Sequence, residues 1–172
     1  MIIKELFKLK NITLIGMPGS GKSSVGILLA KKLGMSFVDV DILIQEKEGR
    51  LLKEIIADVG NEKFIEIENK ANLELDVQSS IIAPGGSVIY GEEAMEHLKE
   101  ISKVIYLDIS YNALKRRLGN LQDRGVVLNN GMTLRGLYNE RIPYYKKYAD
   151  ITIHIGRKSI SKLINEISEA VK

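Results

Sequence analysis

Residues 16–23 read Gly-Met-Pro-Gly-Ser-Gly-Lys-Ser, and no other stretch of the chain limits its possible folds so sharply. An apolar run, Asn11–Ile15, enters this octet and a helix-like stretch, Lys22–Leu33, leaves it. Three glycines let the backbone curl so that successive N–H groups point inward at an anion, where side chains would block the approach. The helix start near Lys22 adds the positive end of its dipole. The octet fits G-x-x-x-x-G-K-[ST] in the strand-to-helix setting that the motif requires, so it predicts a loop that grips a nucleoside triphosphate. A plain glycine turn is the competing reading, but such turns rarely carry lysine and serine at these offsets. Gly16, Gly19, Ser20, Gly21, Lys22, Ser23 and Ser24 are therefore the candidate nucleotide-binding residues. Lys22 would neutralise charge on the β- and γ-phosphates, and the Ser23 hydroxyl would coordinate Mg²⁺.

The rest of the chain alternates in the same way. Strands are expected at Asn11–Ile15, Ser36–Asp39, Ser79–Ala83, Val104–Leu107 and Asp150–Ile153. Helices are expected at Lys22–Leu33, Ile42–Lys47, Leu51–Val59, Glu62–Asp76, Gly91–Glu100, Tyr111–Leu118, Thr133–Tyr148 and Ser159–Val171. Strand–helix alternation predicts an α/β fold, a parallel sheet covered by helices on both faces. The 172 residues show no internal repeat and no dividing linker, so one domain over 1–172 is expected. The stretch 119–132, rich in Gly, Asn and charge, is too long for a plain connection and reads as a lid.

Composition mainly excludes. The chain has no cysteine, which removes disulfides and thiolate metal sites. A net charge of +3 with lysines and acids interleaved gives no nucleic-acid face. No apolar run has the length of a membrane span, and the start MIIKELFKLK lacks a signal-peptide core. A cytoplasmic monomer acting on a small hydroxyl acceptor, with neither nucleic acid nor membrane as partner, is expected. A GTPase would carry N-K-x-D and D-x-x-G, and neither is present. A mechanical ATPase would end a strand in acid, whereas the third strand runs SSIIAPGG.

A second cluster lies at Asp39 and Asp41 in FVDVD, expected at the carboxyl end of the second strand, where ligands of open parallel sheets bind. Two residues apart on an extended backbone, the carboxylates would point the same way. One would hold Mg²⁺ and the other would accept a hydrogen bond, or the proton, from an attacking hydroxyl. The competing role for Asp41 is the N-cap of the helix starting at Ile42. Gly85 and Gly86 close the third strand at the same edge and offer backbone N–H groups, or form merely a tight turn.

Taken together, GMPGSGKSSVG, FVDVD, VGNEKF, APGGSV, VIYLDIS, a candidate lid containing Arg124, and ERIPYYKKYADITI resemble the shikimate kinase family over nearly the whole chain. The resemblance implies a three-layer α/β/α fold with a five-stranded parallel sheet. It also implies transfer of the ATP γ-phosphate, with Mg²⁺, to the 3-hydroxyl of shikimate, a step of aromatic amino acid biosynthesis. Lys22 and Ser23 would then bind phosphate and metal, with Asp39 assisting the metal. Asp41 would hold the acceptor hydroxyls and act as base. Gly85 and Gly86 would contact the acceptor, Arg124 would close over the transferred phosphate, and Arg141 would pair with the acceptor carboxylate. Arg116 or Arg117 would lie near the adenine, as would Arg157 after the last strand.

Two departures from the family pattern bear on the acceptor. The arginine that normally follows Phe64, and clamps the acceptor carboxylate, is Ile65 here, and Pro84 replaces the first of three glycines. Losing one charge-assisted contact costs about 1.5–3 kcal/mol. Glu66 and Glu68 nearby would repel a carboxylate if they faced inward. Either Arg141 anchors shikimate, alone or helped by Arg135, or the acceptor is another small polyol or hydroxy acid. A nucleotide-binding regulatory module with an inactive acceptor site is the non-enzymatic alternative. Arg135 reads as a solvated helix face, the tyrosines at 138, 144, 145 and 148 as a packing stripe, and His97 and His154 as surface or packing residues.

Overall fold

A computed structural model describes residues 10–118 and 131–172. Its element order is β1 (Asn11–Ile15), α1 (Lys22–Leu33), β2 (Ser36–Asp39), α2 (Val40–Glu48), α3 (Leu52–Leu73), β3 (Ser80–Ala83), a 3₁₀ turn (Val88–Tyr90), α4 (Glu92–Ile101), β4 (Ser102–Asp108), α5 (Tyr111–Arg117), α6 (Leu134–Tyr148), β5 (Ile151–His154) and α7 (Ile160–Ala170). The five strands form one parallel sheet in the order β2-β3-β1-β4-β5. Central β1, β3 and β4 are buried almost throughout because helices cover both faces, and Leu14, Ile81, Ile82, Val104 and Ile105 have no exposed surface.

Because β1 lies between β3 and β4, the loops that follow β1 and β3 leave the same edge side by side. Chain order alone does not reveal this. It brings the glycine-rich loop at 16–21 against the turn Pro84-Gly85-Gly86, with Pro18 against Gly86. At the opposite edge Asn11 ties the crossovers together. Its amide donates to Val77 O (2.7 Å) and Ile101 O (3.1 Å), and its carbonyl accepts from Ser80 N (2.9 Å).

Several boundaries differ from the sequence reading for identifiable reasons. The expected helices Leu51–Val59 and Glu62–Asp76 are two halves of the rod α3, broken at Gly60, whose φ of 81° and ψ of 170° are non-helical. The fourth strand is longer than expected, Ser102–Asp108, because every residue of β1 pairs with it. Asp150 precedes β5 rather than opening it, and its carboxylate instead accepts from Val104 N at 2.8 Å. Most of the stretch expected as a lid, 119–130, lies outside the described residues, and so does Arg124. Among the described residues no helix is long and apolar enough to cross a membrane.

Candidate active site

The cleft above the sheet has a volume of about 240 Å³ and is walled by the glycine-rich loop, the start of α2, the middle of α3, the turn after β3 and α6. Gly19, Gly21, Lys22, Ser23 and Ser24, all candidate nucleotide-binding residues, line one side of it. Gly21 sits at φ 101°, in the left-handed region that L side chains avoid, and it turns the chain into α1. Gly16 and Ser20 lie in the same loop, Ser20 fully buried. The Lys22 ammonium donates to Gly16 O (2.8 Å) and Met17 O (3.2 Å), so it lies across the loop it is expected to serve. Burial pulls its pKa down to about 8, against the opposing field of Asp41.

The acids converge as expected, but by a different route. Asp39 ends β2, and Asp41 lies in the first turn of α2 rather than on the strand. Asp39, not Asp41, is the N-cap, its Oδ1 accepting from Asp41 N at 3.1 Å. That frees the Asp41 side chain to face the cleft. Burial, reinforced by Asp39, raises the Asp41 pKa to about 6. Asp39 Oδ2 accepts from the Ser23 hydroxyl at 2.8 Å. A hydroxyl and a carboxylate held together beside a phosphate loop are hard oxygen donors of the kind Mg²⁺ selects, so this pair fits the metal role assigned to both residues.

Gly85 and Gly86 are required by close approach. A Cβ on Gly85 would stand 2.7 Å from Glu68 Cδ and 3.1 Å from Asp41 Oδ1; one on Gly86 would stand 2.8 Å from Pro18 and 3.2 Å from an Arg141 terminal nitrogen. Arg141 itself is 1% exposed, so it is no surface residue of α6. Its Nε donates to the Tyr90 hydroxyl at 3.3 Å. Arg135 points elsewhere, its guanidinium 3.8 Å above the Tyr111 ring.

Glu68 lines the cleft, although the sequence reading did not include it among the candidate site residues. Glu66 is exposed and paired with Lys63 at 2.6 Å, but Glu68 is 1% exposed, faces the cleft, and accepts a hydrogen bond from Ser87. Burial, with the Asp41 charge added, lifts its pKa to about 7, which mutes the repulsion expected of an inward acid. Glu68 shares the buried face of α3 with Phe64 and Asn72 at helical i, i+4, i+8 spacing, a face that only the packing of the helix identifies. Ile65, one residue off that face, packs against the core and is not among the cleft-lining residues.

Among the other candidate residues, Arg117 reaches the phosphate loop and donates to Ser20 O at 3.1 Å. Arg116 and Arg157 are exposed and have no contact that ties them to the loop among the described residues. His97 packs onto Leu75 O, and His154 pairs with Asp108 at the rim of the sheet.

Residues 18–172 match the family profile described as shikimate kinase. The chain belongs to the shikimate kinase family. It is 37% identical over 165 residues to the shikimate kinase of Sulfurihydrogenibium sp., covering 95% of this chain and 99% of that one. A solved shikimate kinase from Acinetobacter baumannii in complex with shikimate superposes with a TM-score of 0.89 at 29% identity, covering 98% of this chain and 96% of that one. The chain is also 37% identical over 166 residues to threonine synthase-like 1 of Mus musculus, of which it spans only 22%. The solved shikimate kinase thus shares this fold over nearly the whole chain.

Proposed function

We propose that the protein transfers the γ-phosphate of ATP to the 3-hydroxyl of shikimate, giving shikimate 3-phosphate and ADP. The single observation that carries this reading is the buried Arg141 guanidinium in a cleft whose other wall is the phosphate loop, with Asp41 beside both. A guanidinium on the cleft wall offers parallel N–H groups whose geometry matches a carboxylate on the acceptor.

In this reading the loop amides at 16–21 and Lys22 hold the triphosphate. Ser23 and Asp39 would hold Mg²⁺, which when bound neutralises charge between the β- and γ-phosphates. Asp41 accepts a hydrogen bond from the acceptor hydroxyl and takes its proton as the new O–P bond forms and the bond to the β-phosphate oxygen breaks. Backbone amides at Gly85 and Gly86 orient the acceptor, and Glu68, held by Ser87, faces its hydroxyls. Arg117, with Arg116 and Arg157, borders the nucleotide base. Arg124 would add positive charge against the transferred phosphate. The protein works in the cytoplasm as a monomer of one domain.

ADP release coupled to a reporter enzyme tests the proposal, with shikimate beside a panel of polyols and hydroxy acids. Turnover is expected with shikimate at micromolar to millimolar concentrations. No turnover with shikimate, beside clear turnover with another acceptor, discards it.

A further inference from the structure

The geometry points to Tyr90 as a positioning residue that holds the Arg141 guanidinium in register for an anionic acceptor, a task that falls to α6 and the 3₁₀ turn because Ile65 contributes no cation to the cleft. The inference rests on the reading that an acceptor carboxylate meets Arg141. Tyr90 closes the 3₁₀ turn that follows the glycine pair, so the same short segment that presents Gly85 and Gly86 also presents this phenol. Three residues of α6 converge on it. The Tyr90 hydroxyl donates to Glu140 Oε1, and it accepts from Arg141 Nε at 3.3 Å. Tyr144 packs edge-on against the ring with centroids 5.8 Å apart.

Each contact has a physical consequence. A guanidinium recognises a carboxylate through two parallel N–H groups, so its value depends on the orientation of a plane rather than on the position of a charge. Fixing Nε to a hydroxyl fixes that plane. One terminal nitrogen lies on the side of the acceptor turn, 3.2 Å from the place a Gly86 Cβ would occupy. The phenol is itself fixed, because its proton is committed to Glu140 and its ring to Tyr144. A donor polarised by a carboxylate is in turn a stronger acceptor for Arg141. The ring adds a face to the cation, with Arg141 Cζ 5.3 Å from its centroid. Tyr145, the next residue of α6, anchors the opposite flank by donating to Gly86 O at 2.7 Å. Helix and turn are thereby fastened on both sides of Arg141.

Tyr90→Phe removes the hydroxyl and keeps the ring. Two readouts distinguish positioning from mere packing. First, the preference of the enzyme for shikimate over its uncharged carboxamide, as a ratio of kcat/KM values, is expected to fall about tenfold, while KM for ATP stays at the wild-type value. Second, isotope-labelled arginine reports the Arg141 Nε–H resonance by NMR, assigned by its loss in Arg141→Lys. In Tyr90→Phe this signal is expected to shift and broaden without any acceptor present. An Nε–H signal indifferent to Tyr90→Phe overturns the inference. So does an unchanged acid-over-amide ratio in a protein that does phosphorylate shikimate. A wild-type protein inert toward shikimate, combined with an altered Nε–H signal, supports the Tyr90–Arg141 coupling and fails the substrate reading instead.

Discussion

Gly85→Ala is the smallest substitution that tests whether the acceptor half of the cleft works as drawn. The added methyl would stand 2.7 Å from Glu68 Cδ, closer still to Oε1, and 3.1 Å from Asp41 Oδ1. Ordinary contact begins at 3.4 Å, so the Glu68 carboxyl must retreat on the order of 1 Å. It has little room to do so, being buried and bonded to Ser87. Overpacking of this kind costs about 1–3 kcal/mol of stability. A misplacement on the order of 1 Å at the reacting groups costs about 10²-fold in rate, because the hydroxyl no longer approaches in line. Thermal melts followed by circular dichroism, together with the ADP-release assay, measure both quantities. A double-mutant cycle identifies the cause: in a Glu68→Ala background, where the colliding carboxyl is gone, Gly85→Ala should cost clearly less stability. A Gly85→Ala protein as stable and as active as wild type would refute the reasoning. Equal stability costs in the two backgrounds would show that Glu68 is not what the methyl strikes.

The remaining predictions concern charge. Glu68 has a folded pKa near 7, above its ordinary value of 4.5, so its contribution to stability is complete below about 4.5 and is lost as pH rises through 7. Glu68→Gln should therefore gain stability over wild type at pH 8, on the order of 3 kcal/mol, and lose most of that advantage by pH 5 in denaturant titrations. For activity, kcat/KM should rise as Asp41 ionises near pH 6 and fall as Lys22 loses its proton near pH 8, and the acid limb should be missing from any residual activity of Asp41→Asn. Lys22→Ala should weaken ATP binding, whereas Asp41→Asn should leave it intact in calorimetry and lower kcat by 10²-fold or more. Asp39→Asn keeps a good N-cap and should mainly raise the Mg²⁺ concentration needed for turnover; Asp39→Ala should also lose about 1 kcal/mol of stability. Chelation of divalent cations should stop turnover in every variant.

What the sequence determined by itself was local and periodic. The glycine-lysine-serine octet predicts its own loop because each residue type answers a backbone or charge requirement within eight positions. Alternating strand and helix patterns yield a parallel sheet because apolar periodicity reports which faces are covered. The break at Gly60 was readable in the same way, since helical patterns stop on either side of it. Tertiary structure decided the rest. Asp39 and Asp41 meet the phosphate loop through a helix cap rather than through strand alternation, because the chain turns into α2 two residues earlier than its pattern suggests. Glu68 became a cleft residue only when α3 laid one face against the turn after β3. Arg141 and Tyr90, 51 residues apart, meet because strand order sets the loops after β1 and β3 side by side and α6 crosses over them. Separations of that size are fixed by packing free energy summed over the whole core, and no window of residues carries that sum.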